Sequence, residues 1–401
     1  MLVIGLIISF ALILFLVKKK VPIGISVISG GILLALTAGL NPIKILRIII
    51  FTFTEKNTLE LIATVIMISV LSNVMKEYGV MEMMVTYLEK MFKSTKALLF
   101  IIPSLLSTFT MTGSAIVAAP IVDSLGDKIG LVNPKKAAIN LYVRHAWYFV
   151  LPISVPLINA SYLSNIPIRE LMKAQLPVAI ACLIAAYLVY IKPLNNSDVS
   201  GDNESRGSII YNTILFTSPL LVCVFLVFWI PFYIALVLGC ILAYLIRKRE
   251  NRLSQVLLKS KNIPLILAAA GIMIFKNIIG NIPQLKSLIL EVTSLGIPLE
   301  LLTIIITIFI SYAVANPTLL VGMMYPLILP LVPAEQQLAM AVLIFTVGFS
   351  AYFISPVHLC QALTNEYFCV STGDLYKEYK ITVPVMFISG ILTYLLLRYF
   401  I

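Results

Sequence analysis

Residues 148–153 read YFVLPI, and residues 352–357 read YFISPV, so Pro152 and Pro356 occupy the same place in two similar segments. The two prolines are 204 positions apart, which is about half of the 401-residue chain. Because proline lacks the amide donor and clashes with the preceding helical turn, each motif predicts a break within an apolar stretch. The repeated break indicates that the chain is built from two similar halves.

Further segments match at the same or a similar spacing. Residues 170–173 read ELMK and residues 374–377 read DLYK, and these segments are again 204 positions apart. Shortly after them, Pro177 and Pro384 each stand before a long apolar run, and we predict that each proline opens a final helix. Several matches, with the same order of apolar and polar segments, predict an internal duplication.

A polar segment lies between the two halves. It contains the run NNSDVSGDNESRGS, which ends at Ser208, and apolar residues flank it on both sides. Such a composition is typical of a linker. We therefore predict a first repeat at residues 1–192, a cytoplasmic linker at 193–208 and a second repeat at 209–401.

The composition is that of a membrane protein. The chain is 60% apolar and 12% charged, whereas soluble domains are about 45–50% apolar and about 25% charged. Runs of about 20 apolar residues can cross a bilayer as helices. The net charge of +11 comes from lysines and arginines at the ends of such runs, so it does not indicate nucleic-acid binding. The run 2–17 lacks a basic segment before it, so we interpret it as a crossing and not as a signal peptide.

We predict an all-α fold with five membrane crossings and one re-entrant hairpin in each half. The predicted crossings are 2–17, 21–39, 58–77, 134–164, 167–191, 209–230, 231–247, 262–280, 334–366 and 380–400, and the hairpins are 97–127 and 298–332. An odd number of crossings per half gives the halves opposite orientations, as inverted repeats. Most of the 29 lysines and arginines then face the cytoplasmic side of the cell membrane, with both chain termini outside.

Small and polar residues interrupt both predicted hairpins at the centre. The first tip comprises Thr110, Thr112, Gly113 and Ser114, and the second comprises Asn316, Pro317 and Thr318. Polar backbone inside a membrane is tolerated only where it contacts protein or lines a cavity. Helix N-termini at such tips favour anions, and free carbonyls can hold a cation such as sodium. The structural alternative is that these residues only cap the hairpin helices.

Polar side chains inside the predicted spans are the other candidates, because a charge at mid-membrane costs about 2.5–3.5 kcal/mol. The candidates for binding a solute are Arg144, Ser154, Asn159 and His358, and those for ion coupling are Asp123, His145 and Lys276. The excess of cationic over anionic candidates favours an anionic solute.

Several of these assignments have a structural alternative. Arg144 could form an ion pair with Asp123, and Lys276 could extend to the membrane interface with its stem in lipid. His145 could be a hydrogen-bonded core residue. The five cysteines and two histidines show no metal-ligand spacing, so we expect no metal site.

The paired hairpins and paired helix breaks resemble the ion transporter superfamily, which includes divalent-anion/sodium symporters, citrate carriers, gluconate permeases and some sodium/proton antiporters. Within it, the segment 355–368, which begins SPVHLC and ends TNEYF, resembles a prokaryotic family of integral membrane proteins of unknown function. In the symporters each hairpin tip carries Ser-Asn-Thr, whereas the tips here read TGS and NPT. The resemblance implies a solute site between the tips.

We therefore predict a secondary transporter of a small anion, coupled to sodium or protons and working by alternating access. A sodium/proton antiporter is the alternative within transport, and it would need paired intramembrane carboxylates. An intramembrane enzyme and a structural membrane subunit are the alternatives from other classes. We expect no cofactor other than a bound sodium ion. We expect the protein to lie in a lipid bilayer and to bind no nucleic acid. A homodimer is the assembly that we consider.

Overall fold

The computed structural model describes residues 2–107, 114–195, 204–246 and 253–400, and helices account for all of its regular structure. The first half contains α1 (Leu2–Lys18), α2 (Ile23–Thr37), α3 (Pro42–Thr52), α4 (Lys56–Glu77), α5 (Val80–Met91), α6 (Thr95–Leu106), α7 (Ser114–Asp127), α8 (Asn133–Ala146), α9 (Val155–Ser164) and α10 (Ile168–Ala186). The second half contains α11 (Arg206–Leu226), α12 (Phe232–Ile246), α13 (Leu253–Lys259), α14 (Ile263–Gly280), α15 (Pro283–Ser294), α16 (Leu299–Val314), α17 (Pro317–Ile328), α18 (Gln337–Phe353), α19 (Leu359–Phe368), α20 (Thr372–Tyr379) and α21 (Thr382–Phe400). The predicted all-α class is confirmed.

Six helical segments in the described ranges are long and apolar enough to cross a membrane. They are Lys56–Glu77, Ile168–Ile191, Arg206–Leu226, Ile263–Gly280, Ala334–Phe353 and Thr382–Tyr399. Five of these segments coincide with predicted crossings, and Ala334–Phe353 covers only the first part of the predicted crossing 334–366, because a break separates α18 from α19. The other four fall on the shorter α1, α2 and α12 and on the pair α8 and α9, which a break divides. The helices are those of a multi-pass membrane protein.

Large apolar side chains cover the outside of the helix bundle. Examples are Phe15 on α1, Ile184 on α10, Phe225 on α11, Phe309 on α16 and Leu396 on α21, each more than half exposed. In water, a surface this apolar would favour association or aggregation. In a bilayer the same side chains contact lipid chains, while the helices satisfy their backbone groups internally. The outer surface therefore agrees with the membrane environment that the composition predicts.

The second predicted hairpin is a pair of helices joined by a tight turn. Helix α16 ends at Val314, Ala315 takes a left-handed conformation with φ of 49°, and α17 begins at Pro317. The Asn316 side chain accepts a hydrogen bond from the Leu319 backbone amide at 2.9 Å, which caps α17. The interruption thus lies where the sequence predicts it, and the side from which this hairpin enters the membrane stays a prediction.

The prediction that Pro177 opens a helix is wrong. Pro177 lies inside α10, which begins at Ile168 and passes through the proline. Its counterpart Pro384 does lie in the first turn of α21, because the chain is interrupted between Tyr379 and Thr382. A proline inside a membrane helix is tolerated where neighbouring groups satisfy the freed backbone carbonyl, so a proline alone does not fix a helix start.

Helices of one half pack on helices of the other half in a reciprocal way. Helix α2 packs on α14, and their counterparts α12 and α4 pack together. Helix α3 contacts α14 just as α13 contacts α4, and α17 contacts α9 just as α7 contacts α19. Such an exchange of partners is the pattern of an isologous, two-fold arrangement. It supports the duplication, while the opposite orientation of the halves in the membrane stays a prediction.

Two asparagines at equivalent positions of the repeat form hydrogen bonds across these reciprocal helix contacts. Asn73 on α4 donates to the Ser260 hydroxyl at 3.2 Å, just beyond the end of α13. Asn277 on α14, 204 positions later, donates to the Thr52 hydroxyl at 3.0 Å and to the Glu55 carboxylate at 2.5 Å, at the end of α3. One side-chain amide on α4 therefore hydrogen-bonds near the end of α13, the short helix before α14. One side-chain amide on α14 likewise hydrogen-bonds near the end of α3, the short helix before α4.

Candidate functional site

The two predicted helix breaks have the same backbone geometry. Before α9, the N-cap Ser154 has φ −66° and ψ 113°, and before α19, the N-cap His358 has φ −65° and ψ 111°. Both helices are ten residues long, and both end at a left-handed residue, Asn165 and Cys369. Ser154 and His358 are buried, so each helix N-terminus lies inside the protein and brings its unsatisfied amides there.

Aromatic side chains join the two breaks at the C-terminal ends of α8 and α18. The rings of His145 and Phe349, which are equivalent residues of the two halves, lie 6.0 Å apart between centroids. The pair His145 and Tyr352 is 6.0 Å apart, and the reciprocal pair Phe349 and Tyr148 is 5.8 Å apart. Of the predicted site residues, His145 and His358 are thus brought together at one centre, with ring centroids 5.1 Å apart.

A hydrogen-bonded group of two histidines and one tyrosine lies at this centre. The Tyr352 hydroxyl is 2.6 Å from His358 Nε2 and 3.5 Å from His145 Nε2. The other ring nitrogens face backbone carbonyls, with His145 Nδ1 2.7 Å from the Leu141 oxygen and His358 Nδ1 3.3 Å from the Phe353 oxygen. Because a carbonyl only accepts, these contacts favour the Nδ1–H tautomer of both imidazoles. The tyrosine hydroxyl can then donate to either Nε2.

Arg144 adds a permanent positive charge to the same region. Its side chain is fully buried, and its guanidinium lies within electrostatic range of the His145 and His358 imidazoles. The equivalent position in the second half is Gly348, and a Cβ there would lie 1.9 Å from the Leu320 side chain. Arginine therefore stands in one half where the other half has no room for a side chain, which makes the site asymmetric and cationic.

The structure describes the whole second hairpin tip but only the last residue of the first. Thr110, Thr112 and Gly113 lie outside the described residues, and Ser114 is described only as the first residue of α7. In the second tip, Asn316 caps α17, Pro317 takes the first helical position and Thr318 is largely buried. Helix α17, which begins at the second tip, packs against α9, the helix that follows the first break.

Ser154 and Asn159 are buried polar residues without a partner among the described residues. Ser154 Oγ and both side-chain polar atoms of Asn159 make no hydrogen bond there, although the two residues are 0% and 1% exposed. A buried polar group costs free energy unless water, an ion or a ligand satisfies it. Native proteins keep few such groups, so Ser154 and Asn159 remain candidates for contact with a solute or water.

Asp123 is engaged elsewhere. Its carboxylate pairs with Lys136 Nζ at 2.7 Å, and Asp127 pairs with the same nitrogen at 2.5 Å. The structural alternative predicted an ion pair between Asp123 and Arg144. The structure instead pairs Asp123 with Lys136. Lys136 is only 2% exposed.

Lys276 is partly buried and lies toward the far end of α9. Its ammonium donates to the Tyr162 carbonyl at 3.4 Å, and its neighbour Asn277 contacts Glu55. This carbonyl belongs to the second half of α9, whereas the break lies before its first residue. The structure therefore does not bring Lys276 to the His145 centre by any described contact, and its role in ion coupling stays a prediction.

Sequence reasoning missed two residues that the structure makes important. Tyr352 contacts both histidines of the centre, and it could have been found, since the repeat pairs it with Tyr148. Lys136, the partner of Asp123, carries no sequence signal that singles it out.

The fold and the site define a multi-pass helical membrane protein with paired helix breaks. A crystal structure of the Alcanivorax borkumensis YdaH transporter is similar, with a TM-score of 0.58 over 88% of each chain and 11% sequence identity. At this identity the likeness shows a shared fold only. A search of curated proteins finds no match. Residues 2–397 match the family described as protein of unknown function (DUF401), so the chain belongs to that family. The resemblance of segment 355–368 to a family of integral membrane proteins of unknown function is thereby confirmed.

Proposed function

We propose that the protein is a secondary transporter of a small anion, bound at the paired helix breaks. The observation that carries the proposal is the buried pair Ser154 and Asn159, which has no partner among the described residues beside the N-terminus of α9. A closed apolar bundle gains nothing from such groups. A solute site requires them, because a bound ligand supplies the missing hydrogen bonds.

The charge of the site favours an anion. Arg144 is buried at the end of α8, and two helix N-termini begin inside the protein at Ser154 and His358. Helix N-termini carry partial positive charge and free amide donors, which bind carboxylates, phosphates and similar groups. A guanidinium adds paired donors that suit planar oxyanions. The solute class expected from this set is a small carboxylate or inorganic oxyanion.

The interlocked halves favour transport by alternating access. The breaks of both halves meet at one centre, and the helices exchange partners reciprocally. In transporters built from repeats, the solute lies between the repeats, and movement of one bundle against the other exposes it to either side. The likeness of the fold to the YdaH transporter is compatible with this mechanism.

The observed carboxylates argue against the sodium/proton antiporter. No aspartate or glutamate side chain is fully buried in the parts of the chain that the structure describes. The nearest candidate, Asp123, already shares Lys136 with Asp127. Proton exchange by carboxylates would need groups free to change charge inside the membrane. An anion carrier does not need them, so it is favoured. The coupling ion, sodium or proton, stays part of the proposal.

Two measurements on the purified protein test the proposal. A thermal-shift screen against carboxylates and inorganic oxyanions, each with and without sodium, is expected to give a ligand that raises the unfolding midpoint. That ligand should then accumulate in proteoliposomes when a sodium or proton gradient is imposed, and not in empty liposomes. A folded protein that is stabilised by no anion and moves none of them would contradict the proposal.

A further inference from the structure

His145, His358 and Cys360 form a cluster that the sequence spacing does not reveal. One ligand atom from each residue lies within 4.8 Å of the others. His145 lies in the last turn of α8, His358 occupies the N-cap position of α19 and Cys360 lies in the first turn of α19. The two histidines are buried and the cysteine is partly buried. The break before α19 places His358 and Cys360 close to the end of α8, where His145 lies.

The ring orientations match those of metal-binding histidines. His145 Nδ1 faces the Leu141 carbonyl, and His358 Nδ1 faces the Phe353 carbonyl. Each Nδ1 is therefore assigned the ring proton, and each Nε2 presents its lone pair. Both Nε2 atoms face the same hydroxyl, that of Tyr352. In metal sites, a hydrogen bond from the second ring nitrogen to a carbonyl fixes the ring and raises the basicity of the ligand.

We propose that His145, His358 and Cys360 bind a transition-metal ion of the zinc type. Two imidazoles and one thiolate are the donor set of a zinc site with an open fourth position. In a tetrahedral site the ligand atoms are roughly 3.3–3.6 Å apart, given zinc bond lengths of about 2.0–2.3 Å. The three atoms, which lie within 4.8 Å of one another here, have to approach by up to roughly 1.2–1.5 Å. The Tyr352 hydroxyl lies beside the two histidine ligands, 2.6 Å from His358 Nε2 and 3.5 Å from His145 Nε2.

The charge of the site decides how the metal would bind. The Cys360 thiol loses its proton to solvent when its sulfur coordinates the metal, so the ion and the thiolate together carry one positive charge. The Arg144 guanidinium lies within electrostatic range of Cys360 and repels this charge. The open position therefore favours an anionic fourth ligand, such as hydroxide or a carboxylate, which lowers the repulsion.

Cobalt is the probe for the test, because Co²⁺ occupies zinc sites and is coloured. Titration of the purified, metal-free protein with Co²⁺ is expected to give the intense visible bands of a tetrahedral ion and a thiolate-to-cobalt charge-transfer band. The Cys360→Ser variant should lose the charge-transfer band. His145→Gln and His358→Gln should each weaken binding by more than about 100-fold, since even outer residues of metal sites contribute 10–100-fold.

Cys369→Ser is the matched control, because Cys369 is an exposed cysteine just after the end of α19. It should leave both bands and the affinity unchanged. Size-exclusion elution and the thermal midpoint show whether each variant is folded. His358→Gln removes no capping bond, since the His358 side chain makes none with α19. A folded wild-type protein that binds no Co²⁺, or a charge-transfer band that survives Cys360→Ser, would overturn the proposal.

Discussion

The imidazole of His145 contacts the ring of Phe349, 204 positions later, with the ring centroids 6.0 Å apart. In the predicted duplication these two residues are equivalent, and a contact between equivalent residues is expected beside a local two-fold axis. The surrounding pairs are reciprocal, since His145 lies 5.3 Å from Phe353 and Phe349 lies 5.0 Å from Phe149. The candidate site is therefore built where the two halves meet, and the predictions below follow from that arrangement.

Inverted halves should expose equivalent loops on opposite sides of the membrane. We expect Lys128→Cys, after the first hairpin, and Pro333→Cys, after the second, to react with an impermeant maleimide from opposite faces. The motive is the charge distribution, which places most lysines and arginines on one side. The measurement uses oriented vesicles and a background without the five native cysteines. Labelling of both positions from the same face would show that the halves are parallel.

Buried Asn159 and partly buried Asn277 should differ in what they contribute to stability. Asn159 makes no side-chain hydrogen bond to any residue that the structure describes, so we expect Asn159→Ala to change the free energy of unfolding by less than about 1 kcal/mol. Asn277→Ala breaks bonds to Thr52 and to the Glu55 carboxylate, and we expect a loss of about 1–3 kcal/mol. Thermal unfolding of both variants in one detergent is the comparison. Equal losses would mean that Asn159 has a structural partner.

Removal of Lys136 should destabilise the contact between α7 and α8. Lys136→Met leaves the Asp123 and Asp127 carboxylates facing each other without their cation. Fully buried pairs cost about 3–5 kcal/mol when one partner is lost, and we expect about 1–3 kcal/mol because the aspartates are 35% and 70% exposed. The double variant Lys136→Met with Asp123→Asn should recover part of the loss in thermal unfolding. No recovery would contradict the ion-pair explanation.

The close packing of α2 on α14 depends on glycine. A Cβ on Gly24 would lie 2.0 Å from the Leu267 carbonyl oxygen, which is backbone and cannot rotate away. We expect Gly24→Ala to separate the two helices and to lower the thermal midpoint or the yield of folded protein, as in other tightly packed membrane helices. Gly280→Ala, at the end of α14 with open space around it, is the control and should be neutral. Equal behaviour of the two variants would argue against this helix contact.

The sequence predicts the helix breaks well because their physical cause is local. The breaks at Ser154 and His358 fall beside Pro152 and Pro356, as expected, although α8 already ends at Ala146, before a short 3-10 turn at Trp147–Phe149. The interruption at Asn316 is predicted for a similar reason, since an amide side chain before a proline caps a helix. Pro177 shows the limit of this reasoning, because packing around α10 overrides the local preference.

The contents of the site were harder to predict because they depend on contacts between distant segments. Asp123 and Arg144 are both charged and near in sequence, yet Asp123 pairs with Lys136, 13 positions away. The partners of His145 are Tyr352 and His358, and no local motif or composition indicates that α8 and α18 end side by side. Only the 204-position repeat indicates this, since it implies that equivalent residues meet at an axis.

Uptake of a stabilising anion by reconstituted protein tests the central claim most directly. The measurement compares the initial rate in proteoliposomes containing the wild type, Asn159→Ala and Asn281→Ala, under the same sodium or proton gradient. Asn281 is an exposed asparagine at the end of α14 and serves as the matched control. We predict rapid uptake by the wild type and Asn281→Ala, and a loss of more than tenfold in Asn159→Ala, with equal amounts of folded protein, because about 1.4 kcal/mol of lost binding corresponds to tenfold. Uptake by Asn159→Ala at the wild-type rate would contradict the placement of the anion at the paired helix breaks.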